Sequence, residues 1–220
     1  KKAERREKIN QLIKQEEEGA LIYQKQGAFG FKFNTDGWSM FYEHGKYKTI
    51  TKTPLWWLEV GERKHPKEEK VPTLNASQGF LIISSYVYGK RNNFYYLKAG
   101  IGQQTLIGGK GNKNGVAVSA VYGAGISAGL LKPYYIEIQN PSNGKKEEIK
   151  YTNIDSLFLD TNSILGSGGL GKGFNEIKFV PGVHARAALR FDYGRYNEVL
   201  SALEVGVNAE YYSQNMPILL

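Results

Sequence analysis

Apolar and polar residues alternate along most of the chain after residue 25. The longest run is 183–212, VHARAALRFDYGRYNEVLSALEVGVNAEYY. Val183, Leu189 and Phe191 fall on one parity, and His184, Arg186, Arg190 and Asp192 on the other. After a polar break at 194–198 the pattern resumes, with Leu203, Val205 and Val207 set against Glu204, Asn208 and Glu210. Period-two alternation is the mark of a strand with one apolar face. It predicts seven strands: 26–34, 37–45, 54–64, 94–107, 115–130, 179–194 and 199–213. Asn-Thr-Asp-Gly at 34–37 supplies a hairpin turn after Phe29, Phe31 and Phe33. Pro54 stands at the start of its strand, where a missing N–H is tolerated. The segment 116–129 puts Val116, Val118, Tyr122 and Ile126 on one face and Ser119, Gly123, Gly125, Ser127 and Gly129 on the other.

Other textures are few. Residues 1–18, KKAERREKINQLIKQEEE, have a helical stripe of Ile9, Leu12 and Ile13 and read as a short solvated helix, with a docking helix as the alternative. Residues 64–93 and 139–175 read as long loops, the first holding the apolar GFLIISSYVYG. The glycine-rich GSGGLGKG lacks the phosphate-loop spacing and reads as a mobile loop.

An alternating antiparallel sheet needs something to cover its apolar face. No helix-period segment after residue 18 is available to do so. The strands are long against the usual five or six residues, and membrane-spanning strands need about 9–11. The polar faces combine small residues with charges of both signs, as the interiors of small barrels do. Tyr134, Tyr135, Tyr193, Tyr196, Tyr211, Tyr212, Trp56 and Trp57 lie near strand ends, where interfacial girdles form. With the N-terminus placed on the periplasmic side, the connections at 45–53, 108–115 and 194–198 are short. The two long ones then share the outer side, the sidedness of outer-membrane barrels. Val183, Leu189, Phe191, Leu203, Val205 and Val207 would face lipid. His184, Arg186, Arg190, Asp192, Glu204, Asn208 and Glu210 would form a salt-bridge network in the lumen. Residues opposed about the 194–198 turn are expected to sum to about 392, placing Arg190 near Ala202 and Glu204 and Arg186 near Gly206 and Asn208.

Composition narrows the chemistry. The 220 residues carry a formal net charge of +8, but the lysines are scattered and no basic stripe interleaves with stacking aromatics, so nucleic-acid binding is not expected. There is no Cys and there are three scattered His, so neither a metal site nor a cofactor is expected. Fifteen Tyr, ten Phe and three Trp make the chain aromatic-rich, which suits a barrel with interfacial belts.

The architecture resembles the small outer-membrane β-barrel proteins of Gram-negative bacteria, broadly of the OmpA/OmpX kind. In detail, KYKTITKTPLWWLEVGERKHPKE, SYVYGKRNNFYYLKAGIGQQ and PGVHARAALRFDYGRYNEVLSALEVGVNAEYY resemble an uncharacterised group of such barrels. The resemblance implies an all-β, eight-stranded antiparallel up-and-down transmembrane barrel over 20–220, preceded by a periplasmic helical segment at 1–19. Its partners would be outer-membrane lipid and lipopolysaccharide, and other outer-membrane or periplasmic proteins through the N-terminal helix and loops. Such barrels usually have an even strand count, so a closing eighth strand is expected to be missing from the seven; the alternative is that GFLIISSYVYG is itself a strand, which would place the 139–175 loop on the periplasmic side. The expected role is structural or interactive, without catalysis. Two alternatives are an accessory subunit of a secretion or barrel-assembly complex, and a lipid-modifying enzyme. The enzyme would use His184 as base, Glu210 or Asp192 to orient it, and Ser119 or Ser127 as nucleophile.

Overall fold

The computed structural model describes residues 25–46, 48–49, 51–77, 80–110, 115–152, 156–169, 171–194 and 201–220, with 74–77 and 80–82 described through their backbone alone. The expected helix at 1–19 lies outside the described residues. The chain is all-β. In order, its strands are β1 (Lys25–Asn34), β2 (Gly37–Lys46), β3 (Lys52–Arg63), β4 (Lys70–Ser77), β5 (Phe80–Val87), β6 (Asn92–Gly108), β7 (Ala117–Pro133), β8 (Tyr135–Gln139), β9 (Lys146–Lys150), β10 (Ile164–Ser167), β11 (Lys178–Asp192) and β12 (Ala202–Tyr212).

Seven of them form one sheet in the order β1-β2-β3-β6-β7-β11-β12. Every neighbouring pair is antiparallel. Sheet order therefore follows chain order, as in an up-and-down meander. Side chains of β2 meet those of β11, and side chains of β3 meet those of β12. Those strands are far apart along the sheet, so the sheet curls into a half-barrel around a shared interior.

Alternation decides which face turns inward. Along β3 the pattern is strict: Thr53, Leu55, Trp57 and Glu59 are buried while Pro54, Trp56, Leu58 and Val60 are exposed. Inward packing depends on glycines opposite large rings. A Cβ on Gly100 or Gly123 would overlap the Trp57 ring, so β6 and β7 yield a lane in which the indole lies. Trp57 and Tyr212 thus point into the interior, not into an aromatic belt: both sit on the inward parity of their strands. Trp56, Tyr193 and Tyr211 remain exposed outward.

The long connections are structured, which corrects the expectation of loops at 64–93 and 139–175. GFLIISSYVYG does not join the barrel sheet; it contributes β5, paired with β4 in a separate hairpin. β8 is the middle strand of a three-stranded sheet between β10 and β9. A cluster of Tyr86, Ile136, Ile138, Phe158 and Ile164 binds the hairpin to this small sheet. Apart from GFLIISSYVYG, weighed as a strand of the main sheet, these strands are not legible in the sequence because each is only four to eight residues long. In GSGGLGKG, Gly169 and Lys172 are held by Glu148. The amide of Gly169 donates to Glu148 at 2.8 Å, and Lys172 pairs with the same carboxylate at 2.8 Å. The Gly169 hydrogen bond, then Lys172, hold the Glu148 carboxyl below its ordinary pKa.

After β12 the chain crosses the loop end of the half-barrel. Ile218 C=O accepts from the Arg91 amide at 2.8 Å, and the Leu220 amide donates to Gly89 C=O at 2.9 Å. Met216 and Ile218 lie against the buried cluster Phe94, Tyr96, Leu131 and Val180. This strap and its cluster form an apolar lid over the polar interior.

Candidate functional site

The interior beneath the lid is a set of ion pairs contributed by β1, β2, β3, β6, β11 and β12. Its centre is Glu43, fully buried on β2. Its two carboxylate oxygens are divided between Arg186 and Arg190, the latter at 2.7 Å. Arg190 also donates to one oxygen of Glu204, Oε2, from Nε at 3.1 Å and from Nη2 at 2.7 Å. Gln104 continues the chain of contacts, accepting from Arg190 and from Gln26 and donating to Ser119. Arg186 lies over the Trp57 ring at 3.9 Å, a cation–π contact out of water.

A second cluster lies nearer the lid. Glu59 accepts from Lys32 at 2.5 Å and from the Tyr96 hydroxyl at 3.1 Å, and Lys98 stands 3.7 Å away. Glu210 binds Lys98 and Arg63, and accepts from the Tyr212 hydroxyl at 2.9 Å. Arg63 also reaches Asp36 at 2.7 Å. Each cluster is neutral as a set. Arg186 and Arg190 offset Glu43 and Glu204; Lys32, Arg63 and Lys98 offset Asp36, Glu59 and Glu210. Buried charge is tolerated on this condition: paired, hydrogen-bonded and balanced.

The residues singled out from sequence divide three ways. Arg186, Arg190 and Glu204 lie in the first cluster and Glu210 in the second. Asp192 is buried but separate, 3.6 Å from Lys110 at the turn end. Asn208 is exposed at the open edge of the sheet, outside both clusters. The register between β11 and β12 sums to 394, two beyond the expected 392, because the connection is centred one residue later than the assumed turn. This sets Arg190 directly opposite Glu204 and Arg186 opposite Asn208.

The nucleophile set comes together only in part. Ser127 Oγ lies 3.0 Å from His184 Nδ1, and both residues are buried. Nε2 of His184 has no hydrogen-bond partner among the described residues, and the ring stands edge-on to Trp57 at 5.8 Å between centroids. Glu210 faces His184 in register but is engaged by Lys98, Arg63 and Tyr212. Among the described residues no acid orients the imidazole, as a triad requires. Ser119 is bonded to Gln104.

Sequence reasoning missed Glu43, the hub. Its signal was present: Ser39, Glu43 and Gly45 share a parity opposite Trp38 and Tyr42. Glu59 and Lys98 also stand on the inward parity of strands whose alternation was legible. What no pattern along one strand shows is that β2 faces β11 across the interior.

Comparison with protein-family models, with curated proteins and with solved structures finds no match. The geometry is therefore the ground for a functional reading. Among the described residues no helix is long and apolar enough to cross a membrane, and no cluster of metal-ligating side chains occurs.

Proposed function

We propose that the protein is an integral β-barrel of a Gram-negative outer membrane, with a filled, salt-bridged lumen and a structural or protein-interaction role. One observation carries this reading: the sheet is inside out relative to a water-soluble barrel. Ile101, Ile126 and Val207 are 74%, 69% and 73% exposed, while Glu43 and Arg190 are 0% and 3% exposed. Val183, Leu189, Leu203 and Val205 are exposed on the same outer face, with Phe191 half-buried beside them. An apolar belt of this extent is far beyond the patches that soluble monomers expose, and lipid is the solvent it fits. The long strands agree, since β6 and β7 run 17 residues each, above the length a tilted strand needs to cross.

The balanced clusters make the lumen a structural core: barrels of about eight strands leave an interior that side chains fill. An accessory role in a larger outer-membrane complex is the second reading. It is favoured by the β4–β5 hairpin and the small sheet at the loop end, where Ile83 and Tyr88 are exposed. The test is extraction. Membranes from producing cells are washed with alkaline carbonate and then with detergent, and the detergent extract is run on SDS gels with and without boiling. Retention through carbonate and a boiling-dependent mobility shift are expected. Release by carbonate refutes the membrane reading. Purification in mild detergent then separates the two roles: a lone monomer counts against the accessory subunit.

A further inference from the structure

Five lysines far apart in sequence come together at the loop end. Lys64 follows β3, Lys70 opens β4, Lys90 stands in the turn before β6, Lys132 lies near the end of β7, and Lys172 belongs to GSGGLGKG. All five line one cavity of about 470 Å³, where the rim of the half-barrel meets the β4–β5 hairpin and the small sheet. No single stretch of the chain is basic enough to announce it; the fold collects the charge. Small-molecule sites generally enclose about 300–1,000 Å³, and this cavity has that size.

Its charge is not balanced as the charge of the interior is. The carboxylates in its lining are Glu62 and Glu68. Lys90 pairs with Glu68 at 2.8 Å, and Lys172 pairs with Glu148 at 2.8 Å. Lys64 and Lys70 are exposed and make no ion pair among the described residues. Even with Glu148 counted, five ammonium groups stand against three carboxylates. An excess of one sign around a concave surface draws ions of the other. Depth is graded as well. Tyr86, Lys90 and Lys132 are buried at the floor, and Lys64, Lys70 and Ser85 are exposed at the mouth. Tyr95, Tyr134 and Tyr135 supply an aromatic wall. The side chains of Ser85, Asn93 and Ser167 line the same space and make no hydrogen bond among the described residues. Neutral hydrogen-bonding groups beside aromatic rings suit the hydroxyls and C–H faces of a sugar, and ammonium groups suit a phosphate.

We infer that this cavity binds a phosphorylated sugar. The sugar ring lies among Tyr95, Tyr134 and Asn93, and its phosphate meets Lys64 and Lys70 at the mouth. The Lys90–Glu68 pair, with side chains 5% and 6% exposed, holds the floor. Inorganic phosphate alone would leave the tyrosine wall and the neutral polar groups unused. An extended acidic peptide fits less well, because the excess charge rings a pocket with a buried floor and does not run along a strand edge. The inference rests on the loop-end geometry and holds whether lipid or water surrounds the sheet. Two sources carry the same chemistry: a soluble sugar phosphate, and the headgroup of a phosphorylated glycolipid.

The test is calorimetric titration of the full-length protein, purified in a non-ionic detergent, with glucose 6-phosphate, glucose and inorganic phosphate. Saturable binding of glucose 6-phosphate is expected, tighter than that of either other probe by about tenfold or more. Lys64→Glu combined with Lys70→Glu should weaken it by about tenfold or more, with circular dichroism and thermal unfolding showing that the variant keeps its fold. Lys25→Glu combined with Lys46→Glu makes the same change of net charge at exposed positions on the opposite end of the sheet, and should leave binding unchanged. Four results overturn the proposal: no saturable binding at millimolar glucose 6-phosphate, equal affinity for inorganic phosphate, undiminished binding in the Lys64–Lys70 variant, or equal loss in both double variants. Lipopolysaccharide in mixed micelles is then the competitor that tells the sources apart. Displacement of glucose 6-phosphate assigns the site to a glycolipid headgroup, and persistence assigns it to a soluble sugar phosphate. The carbonate wash reads the membrane question separately. A carbonate-released protein that binds keeps the site and loses the bilayer, and a retained protein that does not bind keeps the bilayer and loses the site.

Discussion

Glu43→Gln keeps the side-chain volume and removes the charge that two buried arginines share. Glu43 is fully buried, and Arg186 and Arg190 are 2% and 4% exposed at their side chains. Breaking a buried ion pair by removing one partner costs about 3–5 kcal/mol, since it strands the other charge. The lower end applies here. Arg190 keeps Glu204 and Gln104, while Arg186 loses its ion-pair partner and keeps the face of Trp57. With a urea slope of about 2–3 kcal/mol per M, a loss of about 3 kcal/mol lowers the unfolding midpoint by roughly 1–1.5 M. The assay is equilibrium unfolding in detergent micelles, read by tryptophan emission, to which Trp57 beside Arg186 contributes, and by the boiling-dependent gel shift. Adding Arg186→Met to Glu43→Gln removes the stranded charge and should restore about 1–2 kcal/mol. A wild-type midpoint for Glu43→Gln, or a further loss in the double variant, refutes the view that balanced charge holds the interior.

Three further outcomes follow from the same geometry. Val207→Arg places a charge on the outer face at a 73% exposed position; in bilayers it should cost about 2–4 kcal/mol if near the midplane, measured by unfolding from vesicles, whereas a water-facing site would tolerate it. Gly100→Ala drives a methyl into the Trp57 ring and should destabilise by about 1–3 kcal/mol, with a red shift of tryptophan emission as the indole is displaced. Acidification should release Glu148 from Gly169 and Lys172. Its folded pKa is lowered, so the anchoring is complete above the ordinary carboxylate pKa and is lost as pH falls through the folded value. The Gly169 amide chemical shift should titrate with a midpoint below the usual carboxylate range, and Glu148→Gln should abolish that titration.

Much of the barrel sheet was legible along the chain. Seven strands were expected, and the sheet contains seven with bounds shifted by a few residues, because period-two alternation over ten or more residues is a strong signal. Parity also foretold that Arg186, Arg190 and Glu204 share a face. Two kinds of information were not in the pattern. The partners of Arg186 and Arg190 come from β2, and only the curl of the sheet brings Glu43 to them. The loop-end strands β4, β5, β8, β9 and β10 are short and held by a mixed cluster around Phe158, so their order rests on contacts distant in sequence. The two-residue error in the β11–β12 register has a simpler cause: a hairpin's register follows its turn, and the turn's centre was placed one residue too early.

The strap from Tyr212 to Leu220 ties the last barrel strand to the rim at Gly89, Lys90 and Arg91. It fixes the distance between β12 and the β5–β6 junction at this end of the half-barrel. Moving β12 away from that junction must first peel Ile218 from Arg91 and lift Met216 from its seat beside Phe94.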